Sequence, residues 1–285
     1  MDKKKSILGF LRIKSYTIKM NCDFGYIDDL LQSSNGKIIH QVWFNMGNGG
    51  TPEKYKHLIK TWKEKNPKYT YHLWDEKDSL ELLTKYYPFF LSTWKKYPHT
   101  IQRIDSIRYF FLHRYGGFYC DTDTRCMKPI DKMFETFRKK VYLAETPNNI
   151  ISNTASNFLM YSEPMNGFWE KVYIEMAENA KKNYHTKHFQ VMMTTGPMML
   201  TSVYRKYGNE YDVGLLPKEL FNPCGMCSET CDKRDMKGVY VINENASSWT
   251  GSDTSILKFL LCKKWYILGG LVILGIFVIR SKLRN

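Results

Sequence analysis

Two aspartates one residue apart, Asp121 and Asp123, end the short apolar run Gly-Phe-Tyr-Cys at positions 117–120. Alternate residues of an extended chain point to the same side, so the two carboxylates share a face. Held together they repel, and a cation between them relieves the repulsion. Oxygen donors of this kind select hard cations, Mn2+ or Mg2+ rather than zinc. A cation held by so few carboxylates keeps positions open for water or for the oxygens of a diphosphate. A bare Asp-x-Asp is also supplied by chance, and an exposed acidic turn is the ordinary alternative. The neighbours give the pair its weight. Asp105 and Arg108 stand three residues apart in a stretch of helical period, hence on one helix face. There Arg108 can bind a phosphate or hold a carboxylate, and Asp105 can accept hydrogen bonds from sugar hydroxyls. Alone they would be a surface ion pair. Followed at fixed distance by Gly116, Gly117 and Asp-x-Asp, they point to chemistry.

The elements that must position these residues are legible in outline. Residues 37–44, KIIHQVWF, form a buried first strand. A glycine-rich loop follows, then Thr51 and Pro52 start a helix that Asn66-Pro67 ends. Residues 69–74 are a second strand, and 79–86 and 88–97 are short helices. The helix carrying Asp105 and Arg108 spans 100–115, and Gly116 and Gly117 suit the left-handed backbone just past a helix end. Residues 118–121 and 141–145 are strands, and 164–183 is a helix. Residues 189–194 read as a strand, 197–207 as a helix and 239–243 as the last strand. Strand and helix alternate, so the expected class is α/β with a largely parallel central sheet. Ligands of such sheets bind beyond the carboxyl ends of the strands, where Asp121 and Asp123 fall.

The chain has 285 residues, 43% of them hydrophobic, with seven tryptophans and twenty tyrosines, which excludes a disordered class. The net charge of +14 comes from basic residues spread along the chain rather than blocked, so a solvated basic surface is expected and no nucleic-acid partner. Residues 1–16 lack the apolar core and cleavage site of a signal peptide. Near the other end, residues 265–279 are fifteen uncharged positions, WYILGGLVILGIFVI. A helix of that length spans ~22 Å, and extension through Lys258, Lys263 and Lys264 lengthens it, the last two snorkelling. Trp265 and Tyr266 sit where an interfacial aromatic belt would lie. A single-pass membrane anchor is therefore expected, a buried terminal helix being the alternative. The organisation reads as an N-terminal extension (1–36), a catalytic domain (37–255), and a transmembrane segment with a short basic tail (256–285). Seven cysteines without a signal peptide indicate a reducing compartment, and a C-terminal anchor without a signal peptide indicates a cytosolic catalytic domain, the secretory-pathway lumen being the alternative. Cys224, Cys227 and Cys231 have the spacing of a zinc cluster, and a loop of free thiols is the plainer reading. The sequon Asn245-Ala246-Ser247 has meaning only in a lumen.

KIIHQVWF, then DSIRYFFLHRYGGFYCDTD at 105–123, then TTGP at 194–197, resemble the DXD-containing sugar transferases that include the fungal initiating and inositol-phosphoceramide mannosyltransferases. The match covers most of residues 37–249. A similar site occurs in the large clostridial glucosylating toxins, whose last motif, E-x-x-S-x-W, matches Glu244, Ser247 and Trp249. The resemblance implies a GT-A type fold, a nucleoside-diphosphate sugar donor, a glycan, lipid or protein acceptor, and retention of anomeric configuration. It implies that Trp43 stacks on the nucleotide base and that Asp105 and Arg108 hold the donor sugar. Tyr119 stands in the donor-binding motif. Asp121 meets the ribose or a metal-bound water, Asp123, Glu244 and Ser247 ligate the metal with Asp121, and Trp249 donates its indole N–H to the diphosphate. Many relatives carry a histidine in the last motif, which is absent here. Three other readings are an aspartyl phosphohydrolase, an inactive membrane-tethered nucleotide-sugar-binding protein and a zinc-cluster interaction module. The first expects threonine where Arg125 stands and leaves Asp105 and Arg108 without a role. The second leaves buried carboxylates uncompensated.

Overall fold

The computed structural model describes residues 24–44, 53–147, 153–225, 227, 236–244 and 251–263. In chain order the elements are α1 (Phe24–Ser33), β1 (Ile38–Val42), α2 (Glu53–Lys65), β2 (Thr70–Trp74), α3 (Glu76–Tyr86), α4 (Pro88–Lys96) and α5 (Thr100–Tyr115). Then come β3 (Gly117–Cys120), β4 (Thr124–Cys126), a 3-10 turn (Ile130–Glu135), β5 (Val141–Glu145), β6 (Ala155–Ser162), α6 (Phe168–Asn179), α7 (Lys187–Thr194) and α8 (Pro197–Tyr207). The last are β7 (Val213–Leu216), α9 (Lys218–Phe221), β8 (Val241–Asn243) and α10 (Ser252–Cys262). Six strands form one sheet in the order β2-β1-β3-β6-β5-β7. β1 pairs in parallel with β2 and β3, and β5 with β7, while β6 runs antiparallel to both β3 and β5. The sheet is thus largely parallel, in the α/β arrangement expected, with one reversed strand inside it.

Alternation along the strands decides which side chains meet which layer. In β1, Ile38 and Val42 join the core that α5, α6 and α8 cover, whereas Ile39 joins the core under α2 on the other face. In β3, Phe118 and Cys120 face α2 and Tyr119 faces α5. Asp121, one step further, is thereby directed to the α5 side. Residues ahead of position 37 take part as well: Phe24 and Leu31 of α1 are buried in the first core, and the buried Asp28 carboxylate accepts from Tyr115 Oη at 2.7 Å and pairs with Lys85 Nζ at 2.7 Å.

Two close approaches fix the turn that feeds β3. Gly116 and Gly117 have φ of +66° and +90°, the region open to glycine. A Cβ on Gly117 would stand 2.6 Å from the Ile38 carbonyl oxygen, and one on Gly116 2.7 Å from the Pro164 ring. The α5–β3 turn is therefore wedged between β1 and the end of β6.

Several expectations are corrected. Residues 189–194 are the body of helix α7, not a strand: Thr186 caps it by accepting from the Phe189 N–H at 3.2 Å, and Val191 and Thr194 are buried at helical spacing. The expected last strand shortens to β8 and leaves the main sheet, pairing antiparallel with β4. Residues 155–162, to which no element was assigned from the sequence, form strand β6. The expectation of free thiols in a reducing compartment is overturned for the cluster: Cys227 is bonded to Cys262, and Cys224 is also in a disulfide. Those sulfurs are not available to zinc; Cys231 lies outside the described residues. Cys120 and Cys126 are buried free thiols. Among the described residues no helix is long and apolar enough to cross a membrane. The uncharged run 265–279 lies outside them.

Candidate active site

Helix α5 and strand β3 run in opposite directions around the Gly116 turn, so the first half of the helix lies beside the carboxyl end of the strand. Asp105 and Arg108 project there from α5, buried to 6% and 3% exposure. Arg108 Nη2 contacts Asp105 Oδ1 at 2.6 Å, and Nη1 reaches Asp121 Oδ1 at 3.2 Å. Nη1 also donates to the Asn157 carbonyl of β6 at 2.8 Å. The guanidinium lies over the Tyr119 ring, 4.5 Å from its centroid, and the Tyr119 hydroxyl donates to Asp121 Oδ1. One cation thus binds two carboxylates, a backbone carbonyl and an aromatic face, which is the bidentate, planar work that arginine does and lysine cannot. Of the two carboxylates, Asp121 is the one that reaches solvent, with 31% of its side chain exposed against 9% for Asp105. Burial raises both acids, Asp105 to about 6 and Asp121 to about 7. Arg108 pulls each down, and the charge of Asp123 pushes Asp121 further up.

The backbone around Asp121 is pinned from three sides. Its N–H donates to the Phe158 carbonyl at 2.8 Å, and its carbonyl accepts from Gln41 Nε2 at 3.0 Å and from Thr124 Oγ1 at 2.6 Å. Trp62 of α2, fully buried, donates its indole N–H to both the carbonyl and Oγ1 of Thr124 at 3.1 Å. A tight turn carrying two acids is thereby clamped to β1, β6 and α2.

Asp123 and Glu244 are neighbours across the small β4–β8 sheet, since the Glu244 N–H donates to the Asp123 carbonyl at 3.0 Å. The Glu244 carboxylate is engaged by Arg125, Nη2 to Oε1 at 2.5 Å. Trp43 follows the end of β1, half-buried, its N–H bonded to the Trp74 carbonyl at 2.9 Å and its ring tilted against Tyr55 at 5.6 Å. It is outside both cores and stands at the same sheet end as Asp121.

The structure therefore brings Asp105, Arg108, Tyr119 and Asp121 into one contact set, and puts Asp123, Glu244 and Trp43 at the same end of the sheet. Tyr119 is 1% exposed and lies beneath Arg108, so it supports the guanidinium instead of facing a ligand. Ser247 and Trp249 lie outside the described residues. Three participants were not foreseen: Asn157, which holds Arg108 through its carbonyl and Asp105 through its side chain; Gln41; and Arg125. An asparagine inside an apolar strand was the available signal for Asn157. Among the described residues no three His, Cys, Asp or Glu side chains stand close enough to hold a metal ion. The donor set offered by Asp123 and Glu244 is nonetheless all oxygen and carried on hydrogen-bonded neighbouring backbone, which suits a hard cation once Glu244 exchanges Arg125 for it.

The chain is similar to known glycosyltransferases. Residues 52–140, which contain Asp105, Arg108, Asp121 and Asp123, match the glycosyltransferase sugar-binding region containing the DXD motif. The chain is 29% identical to a mannosyl phosphorylinositol ceramide synthase of Saccharomyces cerevisiae over 79% of this chain and 55% of that protein. It is 28% identical to inositol phosphoceramide mannosyltransferase 3 of Schizosaccharomyces pombe over 85% of this chain and 63% of that protein. The chain thus spans roughly three fifths of the length of these relatives. A solved structure, the ligand-free glycosyltransferase domain from the YGT toxin, aligns with a TM-score of 0.49 at 10% identity, over 63% of this chain and 80% of that one. The resemblance to the DXD-containing sugar transferases is borne out.

Proposed function

We propose that this chain, as a DXD-type glycosyltransferase, moves a hexose from a nucleoside-diphosphate sugar to an acceptor with retention of anomeric configuration, with Mn2+ or Mg2+ as cofactor. The observation that carries this reading is the single guanidinium of Arg108, fixed between Asp105 and Asp121 at the carboxyl end of β3 beside Asp123. Departure of a nucleoside diphosphate is the hard step, and charge grows on its phosphate oxygens. Preorganised positive charge in a site shielded from water is where electrostatic help is largest. Arg108 cannot swing away, because Asp105, the Asn157 carbonyl and the Tyr119 ring hold it. A divalent cation on Asp123 and Glu244, with Ser247 and Asp121, would supply further neutralisation of the diphosphate. Asp105 accepts sugar hydroxyls, Asp121 offers its solvent-facing side to the ribose or to a metal-bound water, Trp43 stacks on the base, and Trp249 donates to the diphosphate. Retention follows if the acceptor attacks the face that the diphosphate leaves and a phosphate oxygen takes the acceptor's proton; no protein nucleophile is then needed.

The names of the fungal relatives favour mannose as the sugar and a phosphoinositol-bearing sphingolipid, rather than a soluble glycan or a protein, as the acceptor. The Cys227–Cys262 disulfide favours an oxidising compartment, hence a lumenal catalytic domain in place of the cytosolic one expected from the sequence. The apolar residues 265–279 tether it to the membrane in this reading.

The test is donor turnover. Full-length protein in detergent is incubated with uridine and guanosine diphosphate sugars, with and without Mn2+, and free nucleoside diphosphate is assayed beside Asp123→Asn. Metal-dependent release from one donor, lost in the variant, is expected. Folded protein that neither releases nor binds any of these nucleotides would falsify the proposal.

A further inference from the structure

Helix α10 is anomalous for a surface helix. None of its eleven residues is buried. Ile256, Phe259, Leu260 and Leu261 are 62%, 60%, 48% and 41% exposed. Ile256, Phe259 and Leu260 stand at i, i+3 and i+4 and share one face, while Lys258 points to the opposite side. Water-soluble surfaces seldom carry such a patch unless something covers it.

The helix is nevertheless fastened to the catalytic domain. The His188 N–H at the start of α7 donates to Asp253 Oδ2 at 2.7 Å, and His188 Nδ1 lies 3.0 Å from Thr254 Oγ1. At its other end Cys262 is bonded to Cys227, in the segment that leads to β8 and Glu244. Helix α10 is thus held at its start by α7 and at its end by Cys227.

Charge and continuity identify the occupant. Lys258 lies within the helix, Lys263 and Lys264 follow it, and the uncharged run from Trp265 begins immediately after. An amphipathic helix with a lysine opposite its apolar face, followed by two more lysines, an aromatic residue and an apolar run, fits the headgroup and acyl boundary of a bilayer.

We propose that α10 lies in the plane of a lipid bilayer with Ile256, Phe259 and Leu260 inserted, and that it holds the donor site at headgroup level so that a membrane lipid presents its headgroup as acceptor. The inference rests on the reading of residues 265–279 as a membrane segment. It differs from that reading in giving α10 a surface position of its own.

The experiment is carbene labelling. Full-length protein is reconstituted in phosphatidylcholine–phosphatidylserine vesicles, photolysed with a lipid-soluble aryl diazirine and mapped by peptide mass spectrometry. Label on Ile256, Phe259 and Leu260 is expected, with less than about one tenth as much on Thr254 and Lys258. Label confined to residues 265–279 would overturn the inference and leave the anchor standing. Label in neither segment would overturn both. An unlabelled α10 that crosslinks to a second copy would assign the patch to a protein interface instead.

Discussion

Acid should weaken this fold through one histidine that no part of the chemistry uses. His40, in the middle of β1, is fully buried, and its ring is stacked on Phe111 at 4.6 Å. Trp74 Nε1 donates to its Nδ1 at 3.0 Å, and an indole N–H can only donate, so Nδ1 carries the lone pair. The proton is then on Nε2, which donates to the Gly116 carbonyl at 2.9 Å. Protonating Nδ1 would break the Trp74 bond and bury a charge, and burial accordingly holds the imidazole down to about 3. The unfolded imidazole titrates near 6.5. Below that pH the unfolded chain binds a proton that the folded chain refuses, so stability falls as pH drops from 6.5 and levels off near 3. Integrated from pH 7 to pH 5, the loss from this one group is about 2 kcal/mol. His40→Gln removes the titration and keeps a donor and an acceptor at the spacing of the two ring nitrogens. Urea unfolding without reductant, followed by tryptophan fluorescence at pH 7 and pH 5, isolates the effect by difference. Wild type should lose about 2 kcal/mol more than His40→Gln over that interval, a midpoint difference of about 0.7 M at a slope of ~3 kcal/mol per M. Equal losses in the two proteins would refute the assignment of a neutral His40 locked between Trp74 and the α5–β3 turn.

Three further outcomes follow from the site and its supports. Arg108→Gln leaves two carboxylates around a lost cation, so it should cost about 3–5 kcal/mol in urea unfolding and abolish donor turnover; a variant of wild-type stability would show that the pair is not desolvated. Gly117→Ala adds a clash with the Ile38 carbonyl to a left-handed φ and should cost more than about 2 kcal/mol, whereas Gly36→Ala, with φ of +75° and its nearest atom 3.9 Å away, should cost about 1 kcal/mol. Equal melting temperatures for the two would contradict the packing of the turn. Trp62→Phe deletes the donor to Thr124 and should lower stability by about 1–3 kcal/mol and raise the Mn2+ concentration for half-maximal donor hydrolysis about tenfold; an unchanged metal requirement would mean that the Asp121–Asp123 turn holds its shape unaided.

Much of this protein is local and therefore legible in its sequence. The span of α5, the strand that ends at Asp121, the glycine turn between them and the α/β class follow from periodicity and from residues with few allowed conformations. Asp105, Arg108, Asp121 and Asp123 could be named because their spacing lies within one helix–turn–strand unit of the chain. What spacing cannot convey is decided between distant segments. Asn157 becomes a site residue only because β6 inserts antiparallel beside β3, a pairing with no local signature. Residues 189–194 have the composition of a strand, yet the Thr186 cap and packing against α8 and α10 make them helical. Glu244 meets Arg125 and the Asp123 backbone only because β8 leaves the main sheet for β4. The cysteines carried an ambiguity that spacing could not resolve, since Cys262 is 35 residues from Cys227 and only folding brings the two sulfurs together. Sequence determines which groups exist and which conformations each segment tolerates. Tertiary structure alone decides which of those groups share a desolvated space, and there proximity sets charge, proton affinity and chemistry.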